Sequence, residues 1–515
     1  MGWGLYPVVR ICVLLVQLPT LGSDAEDRLR LAQLLGTAPA ETFLLRSLST
    51  SLGSMRQGVR TSTLTDVLIV HNSAVPFSLN DGGLWAARGA SALVRAGVRA
   101  EWRRVTLVIA PELVTSENLA YAMPPPAVEL PRPAGRNPYS TPWHVGAYSI
   151  DLPLRFGAKS FARVDPGQST LALRVGGMSV GLSTENEWWG PGIRNAIVLS
   201  DNAPGIWRAF ARNARPWRTG IGTFSARWFL GGLFESAYFD STRADDRRAI
   251  TGVAATWTPP GVPHLTFGAA RTVYAPIDAW RDVVDHVLDV VRGRGMHRAP
   301  SDSVARPSRD QMFSLFSRWI FPADGFAVHA EWARNQLPGS LRELLVSPDH
   351  SEGYTLGLEW ARPLRDGAAI RTQVEVTYLE KSPAYRNLPT ETWYTGGAAP
   401  QGYTQRGQVI GAAIGPGASS QWLAGDYIAP RWRAGLFGGR IRWDNDALYL
   451  FSSTTEKRCA HDVSLFGGVR GAGGTRWGHV DASLTLGRRF NMFYAAASCD
   501  TPSAGNTTLE LRFTP

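Results

Sequence analysis

Stretch after stretch of this chain changes character at every second residue. In HVDASLTLGRRF, Val480, Ala482, Leu484 and Leu486 alternate with Asp481, Ser483, Thr485 and Gly487. FAVHAEWAR sets Phe326, Val328, Ala330 and Trp332 against His329 and Glu331. YTLGLEW sets Tyr354, Leu356, Leu358 and Trp360 against Thr355, Gly357 and Glu359, and QVEVTYLE sets Val374, Val376 and Tyr378 against Glu375 and Thr377. A period of two belongs to a β-strand with one apolar and one polar face. Between Ala92 and Phe513 roughly 18 such segments can be counted.

Alternation alone fits two inverted solutions. A soluble sandwich turns its apolar side to a dry core, whereas a membrane barrel turns it to lipid and its charges to the lumen. Trp102, Trp332, Trp360 and Phe490 stand at strand ends, where a barrel carries its aromatic girdles. The chain closes on TTLELRFTP, in which Leu509, Leu511 and Phe513 alternate with Glu510 and Arg512. An amphipathic last strand with a near-final aromatic looks like the signal read by barrel-assembly machinery, although Pro515 lies two residues beyond Phe513. Only 19% of the residues are charged, and 53 are Gly, which suits a barrel whose polar positions are dispersed. After the N-terminus no apolar run is long enough for a spanning helix, so a membrane form must be a closed barrel. The expected fold is all-β: a large transmembrane antiparallel barrel of about 18 strands, with a small N-terminal helical segment.

Residues 1–22 read as a signal peptide. Arg10 precedes the apolar stretch Ile11 to Leu18, and small residues between Gly22 and Ala25 supply a cleavage zone. Residues 23–60 read as a helical segment on the periplasmic side. Asp24 or Asp27 caps a first helix whose Leu31, Leu34 and Leu35 share a face, and Gly36 stops it. A second helix is expected from about Pro39 to Ser49. The barrel is assigned to residues 61–515, with long external loops. In the longest, from about Tyr274 to Gln311, Trp280, Val283, Val284, Val287, Leu288 and Val291 form a helical stripe. That stripe packs on its own barrel or meets a partner. Pro124 to Pro138 is a proline-rich connector. Cys459 and Cys499 survive processing, either as one disulfide or as two free thiols.

The formal net charge is +10, or +9 once Arg10 leaves with the leader. In an exported chain this surplus fits acidic polysaccharide or lipopolysaccharide phosphate rather than nucleic acid, or else it is scattered without a partner. Outer-membrane lipid is a further expected partner. The nine histidines show no metal-ligand spacing and no cofactor motif is present.

ENEWWGPGIRNAIVLSDNAP, Glu185 to Pro204, resembles the signature of the capsule assembly Wzi family: a Trp-Gly-Pro turn followed by a Ser-Asn-Asn-Ala-Pro element, with Asp201 in place of the first Asn. GYTQRGQVIGAAIGPGASSQ, Gly402 to Gln421, is similar to a second family block. DQMFSLFSRW, Asp310 to Trp319, and the N-terminal helices also fit, in the family's order. The resemblance implies an 18-stranded outer-membrane barrel with N-terminal helices at its periplasmic end. It also implies a surface lectin that helps attach or organise capsular polysaccharide.

The residues themselves permit two readings. Glu185 and Glu187 face one side of a strand, Trp188 and Trp189 lead into the Gly190-Pro191-Gly192 turn, and Asn186, Asn195 and Asn202 lie nearby. Rings that stack on sugar faces, beside groups that take hydroxyls, make a polysaccharide surface. The same residues equally make a lumenal packing motif. Trp393, Tyr394 and Tyr403, with Gln405 and Arg406, form a second candidate surface, and an aromatic belt explains those rings as well. A glycosidase would use carboxyls such as Glu185, Glu187 and Asp201 at about 5–10 Å, but nothing singles them out, and a non-catalytic role is expected. The main rival is a passive porin.

Overall fold

The wall of this molecule is built inside out relative to a soluble protein. Leu356 and Leu486 are 50% and 61% exposed, while Glu359 and Arg371 are 0% exposed. The pattern holds along each quoted strand: Leu358, Trp360, Leu484, Leu509 and Leu511 lie open, and His329, Glu331, Thr355, Gln373, Glu375 and Thr377 are buried. Apolar residues outside and charges inside are what a lipid-facing barrel requires.

The computed structural model describes residues 22–38, 44–47, 60–124, 138–144, 148–240, 246–292, 308–337, 341–382, 392–450, 460–494 and 503–515. The expected leader, most of the proline-rich connector and both Cys459 and Cys499 lie outside them. The wall is a closed antiparallel barrel of 18 staves. Three staves are broken locally into two strands: Val105–Ile109 with Glu112–Ser116, Phe161–Asp165 with Thr170–Val175, and Trp207–Asn213 with Trp217–Thr219. Closure joins the first and last staves, Arg60–Asn72 and Ser503–Thr514, with Val67 opposite Phe513 and Ile69 opposite Leu511.

The two ends differ. Short turns join Trp102 to Val105, Thr219 to Gly222, Phe321 to Phe326, Ile428 to Trp432 and Thr475 to Gly478. Long loops occupy the opposite end. Exposed Trp102, Trp217, Trp257, Trp319, Trp360, Trp432 and Trp477 all stand near the short-turn end, forming one aromatic girdle. In barrels of this type the short-turn end is periplasmic and the long loops are external. No helix among the described residues is long and apolar enough to cross a membrane.

The first predicted helix is present as α1, Asp24–Leu34, but Ser23 caps it instead of Asp24 or Asp27, its side chain accepting the Glu26 amide at 3.4 Å. Gly36, at φ 72°, ends it as expected. The helix lies within the short-turn end. Leu31 and Leu34 pack on Ile320, Ala327, Ala361, Ala369 and Ile428. Arg30 reaches Glu359 at 2.7 Å, and Asp27 meets Arg371 at 3.1 Å and also Arg433. Burial alone would raise the Asp27 carboxyl, but Arg371, Arg433 and Arg470 hold it well below the usual range.

Two expectations are corrected. The described part of the second predicted helix is a strand, Leu45–Ser47, because it pairs with Glu187–Trp189 inside the barrel. The period-two wall begins at Arg60, well before Ala92. The helical stripe after Tyr274 forms two short pieces, Trp280–His286 and Asp289–Arg292. They lie against the barrel wall, yet Val284, Val287, Leu288 and Val291 remain exposed.

Candidate functional site

The strand Met178–Ser183 is only six residues long, and the chain then turns inward instead of continuing the wall. Once inside, the Trp-Gly-Pro-Gly turn reverses the chain and brings Leu199 back beside Trp189. Gly190 has φ 121°, and a Cβ on Gly192 would lie 2.0 Å from the Asn195 carbonyl oxygen. Segment 184–206 therefore folds into the lumen, where it meets segment 392–418. Tyr394 donates to the Ile197 carbonyl at 2.9 Å and Tyr403 to the Val198 carbonyl at 2.8 Å, and their rings stack at 6.0 Å. The Ser200 amide reaches the Ile410 carbonyl at 3.0 Å. Both blocks singled out in the sequence thus form one plug.

Charged wall residues hold that plug. Glu187 pairs with Arg208 at 3.1 Å and Arg227 at 3.2 Å, and accepts the Trp189 indole N–H at 2.6 Å. Burial would raise its carboxyl, but Arg227, Arg208 and Arg212 overcome burial and bring it to about 2. Glu185 meets Arg212 at 3.4 Å. Trp188 lies beneath the Arg46 guanidinium at 4.9 Å, and Trp189 packs on Phe229. Trp393 donates to the Glu352 carbonyl at 3.0 Å. Arg406 pairs with Asp165 and lies over the Phe234 ring. Glu185, Glu187, Trp188, Trp189, Trp393, Tyr394 and Tyr403 are all buried. In this arrangement they pack the plug and present no open face to a long glycan.

Asn202 alone among the nominated residues lines a cavity on the external side, where it also donates to the Val409 carbonyl at 3.0 Å. This cavity of about 190 Å³ is walled by Trp85, Tyr121, Trp143, Trp443, Phe493 and Tyr494, with Asp444, Asp462 and Arg489 between the rings. A second lobe of about 160 Å³ shares Trp85, Trp443 and Arg489 with the first and extends toward Asn506 and Thr508.

The cleft is rigidly built. Asp462 accepts two hydrogen bonds from Arg489, at 2.7 and 2.6 Å, and one from the Phe493 amide at 2.8 Å. The Arg489 guanidinium lies 5.2 Å from the Trp443 ring centre and 4.9 Å from that of Phe493. Asp444 accepts the Trp143 indole N–H at 2.7 Å and lies 2.7 Å from His144 Nε2. Tyr494 packs edge-on against Trp143 and donates to the Trp443 carbonyl at 3.1 Å. Asp444, Asn491, Phe493 and Tyr494 all have left-handed backbone, with φ of 38°, 52°, 61° and 57°. Large side chains adopt that region at a cost, and such strain concentrates at binding sites. Sequence reading missed this cleft because its residues come singly from distant loops. The available signal was the recurrence of an aromatic beside a polar residue just past a strand end, as in Trp443-Asp444 and Asn491 to Tyr494.

A closed 18-stranded barrel with a packed lumen and a cleft among its long loops defines a large β-barrel of the outer-membrane type. No protein-family model matches the chain, and no curated protein matches it. Among solved structures it is similar to Wzi, an outer membrane protein involved in group 1 capsule assembly in Escherichia coli and a carbohydrate-binding β-barrel. The TM-score is 0.53 at 11% identity, over 87% of this chain and 84% of that one. A BenF-like porin from Pseudomonas fluorescens Pf-5 aligns at TM-score 0.41 and 10% identity, over 89% of this chain and 98% of that one. OccAB2 from Acinetobacter baumannii aligns at TM-score 0.41 and 9% identity, over 88% and 98%. At such identities the likeness to Wzi speaks for the fold, and the looser porin likenesses carry no argument.

Proposed function

We propose that the chain resides in the outer membrane of a Gram-negative-type bacterium, exported by its leader and inserted by barrel-assembly machinery. There it binds capsular or other surface polysaccharide without catalysis, helping to attach or organise it. The observation that carries this reading is the aromatic cleft among the long loops, with Trp85, Trp443 and Tyr121 at its walls and Asp444, Asp462 and Arg489 between them. Rings offer stacking surfaces to the C–H faces of sugars, and the fixed charges offer hydroxyls their hydrogen bonds. Membership of the Wzi family is part of the proposal, supported by the two sequence blocks and the likeness to a carbohydrate-binding barrel. Of the first block's carboxylates, Glu187 is a poor general acid, because that role needs a raised pKa and its carboxyl is held low, and the raised Asp201 is already engaged by the Asn186 side-chain amide.

The test is a glycan array probed with the detergent-solubilised protein, acidic sugars included, followed by titration of the best binder. Trp443→Ala and Trp85→Ala should weaken binding roughly 10- to 100-fold, the scale of a lost stacking contact of about 1–3 kcal/mol, with the barrel still folded. Wild-type affinity in both variants, or no glycan bound at all, refutes the reading.

A passive porin is the second reading. One observation favours it: a polar cavity of about 120 Å³ remains beside the plug, lined by Asp27, Arg30, Arg46, Arg194, Glu510 and Arg512.

A further inference from the structure

Ala249, Thr251, Val273 and Ala275 occupy outward positions of the wall strands Arg247–Thr258 and Leu265–Pro276, yet all four are buried. Their neighbours along the same strands, Arg248, Ile250, Thr272 and Tyr274, point into the lumen, where Arg248 reaches the Gly402 carbonyl and Tyr274 meets Tyr403. Something therefore covers the outside of the barrel here. It is the strap formed by residues 277–292.

The strap is fitted to the wall. The Trp280 ring packs on Phe234 at 4.8 Å and occupies the space above Gly232, where a Cβ would come within 2.3 Å of it. Arg271 also points outward, a costly position for a charge in lipid. It is capped from the strap, donating to the Val290 carbonyl at 2.9 Å and to Gln311 on the adjoining strand at 2.5 Å. Ile277 and Val290 complete the buried side. The uncovered side is mostly apolar: Val284 is 65% and Val291 76% exposed, with Val287 and Leu288 between them, while Asp278, Arg281 and Asp285 are the exposed charges of the segment.

Position along the wall indicates what meets this face. Trp257, in the short-turn girdle, shares a strand with Thr251 and Ala249, six and eight residues away. At about 3.4 Å per residue and a strand tilt of about 40°, the strap sits roughly 15–20 Å above the girdle, within an apolar band about 25 Å tall. Its exposed face is thus continuous with the lipid-facing wall, on the external half. We propose that residues 277–292 form an in-plane membrane strap whose exposed face is inserted among the acyl chains of the external leaflet. The strap shields the charge of Arg271 and the wall beneath it, and lipid, not a protein partner, covers Val284, Val287, Leu288 and Val291.

This inference rests on the membrane placement of the barrel, and its test separates the two. Single cysteines at Val287→Cys, Val291→Cys, Arg281→Cys and the wall position Leu356→Cys, with Cys459 and Cys499 changed to Ser, would carry a nitroxide label in the full-length protein in lipid nanodiscs. Collision with oxygen should exceed collision with a water-soluble nickel chelate at 287 and 291, as at 356, and the reverse should hold at 281, whose side chain is 89% exposed. Nickel-dominated collision at 287 and 291 with a lipid signature at 356 overturns the strap alone. Shielding from both reagents at 287 and 291 assigns the face to a protein partner and also overturns it. A water signature at 356 overturns the membrane placement itself.

Discussion

The Glu375 carboxylate, on the lumenal face of the wall, accepts the backbone amide of Asn195 in the plug at 2.9 Å. The same carboxylate accepts the amides of Arg194, also at 2.9 Å, and of Ile193. Asp310 does likewise for the second plug segment, taking the amides of Ala398 and Ala399 at 3.0 and 3.1 Å. Consecutive N–H groups in a turn make a concave anion seat, and here the wall supplies the anion. The plug loops, too irregular to satisfy their own backbone, are held by the barrel's carboxylates.

Glu375→Ala should therefore loosen the plug. It strands the buried Asn195 amide and the part-buried amides of Ile193 and Arg194, and the expected loss is about 3 kcal/mol, since each unsatisfied buried group costs about 1–3 kcal/mol. Denaturant unfolding of the detergent-solubilised protein measures it. Glu375→Gln, which keeps one acceptor oxygen, should lose less than half as much.

Glu187 clamps the plug through charge. Glu187→Gln removes the carboxylate that pairs with the buried Arg208 and Arg227 and should cost about 3–5 kcal/mol. The temperature at which the folded barrel loses its fast migration on a gel reads this out. The pH dependence has a definite sign. Because the carboxyl lies at about 2 in the folded protein, below its ordinary value, its contribution is present above about pH 4.5 and disappears as pH falls toward 2. Glu187→Gln should flatten the stability profile across that window.

Asp201 works in the opposite direction. Enclosure in the lumen pushes its carboxyl up to about 7, despite Arg95 and the hydrogen bond from Asn186. A raised acid favours folding while protonated, so its contribution falls as pH rises from about 4 to 7. Asp201→Asn should abolish that decline and gain about 1–2 kcal/mol at neutral pH, measured by unfolding at pH 5 and pH 8. An unchanged pH profile contradicts the assignment. The Asn would also match the residue that the resembling family motif carries at this place.

Much of the wall was legible because a barrel in lipid needs a charge or amide opposite nearly every apolar residue. Glu331, Glu359 and Glu375 therefore marked their strands. Arg60–Asn72 was hidden because Leu68, Ile69 and Val70 run together. Leu68 and Val70 face inward, onto an apolar patch with Leu84, Leu93 and Val114, so alternation fails there. Leu45–Ser47 read as helix because only its partner strand, Glu187–Trp189, makes it extended. The Trp-rich blocks pointed to something essential, but the packing of Trp189 and Trp393 into the plug depends on long-range folding that local sequence does not encode. The cleft was invisible for the same reason: Trp85, Trp143, Trp443 and Phe493 converge only once the barrel closes.

Side chains and inward-folded loops fill the barrel, leaving the external cleft to do the work. Single-channel recording of the purified protein in planar bilayers tests this most directly. A filled lumen should give no steady open level, with at most brief, small events. A large, stable conductance would contradict it and make the chain a pore.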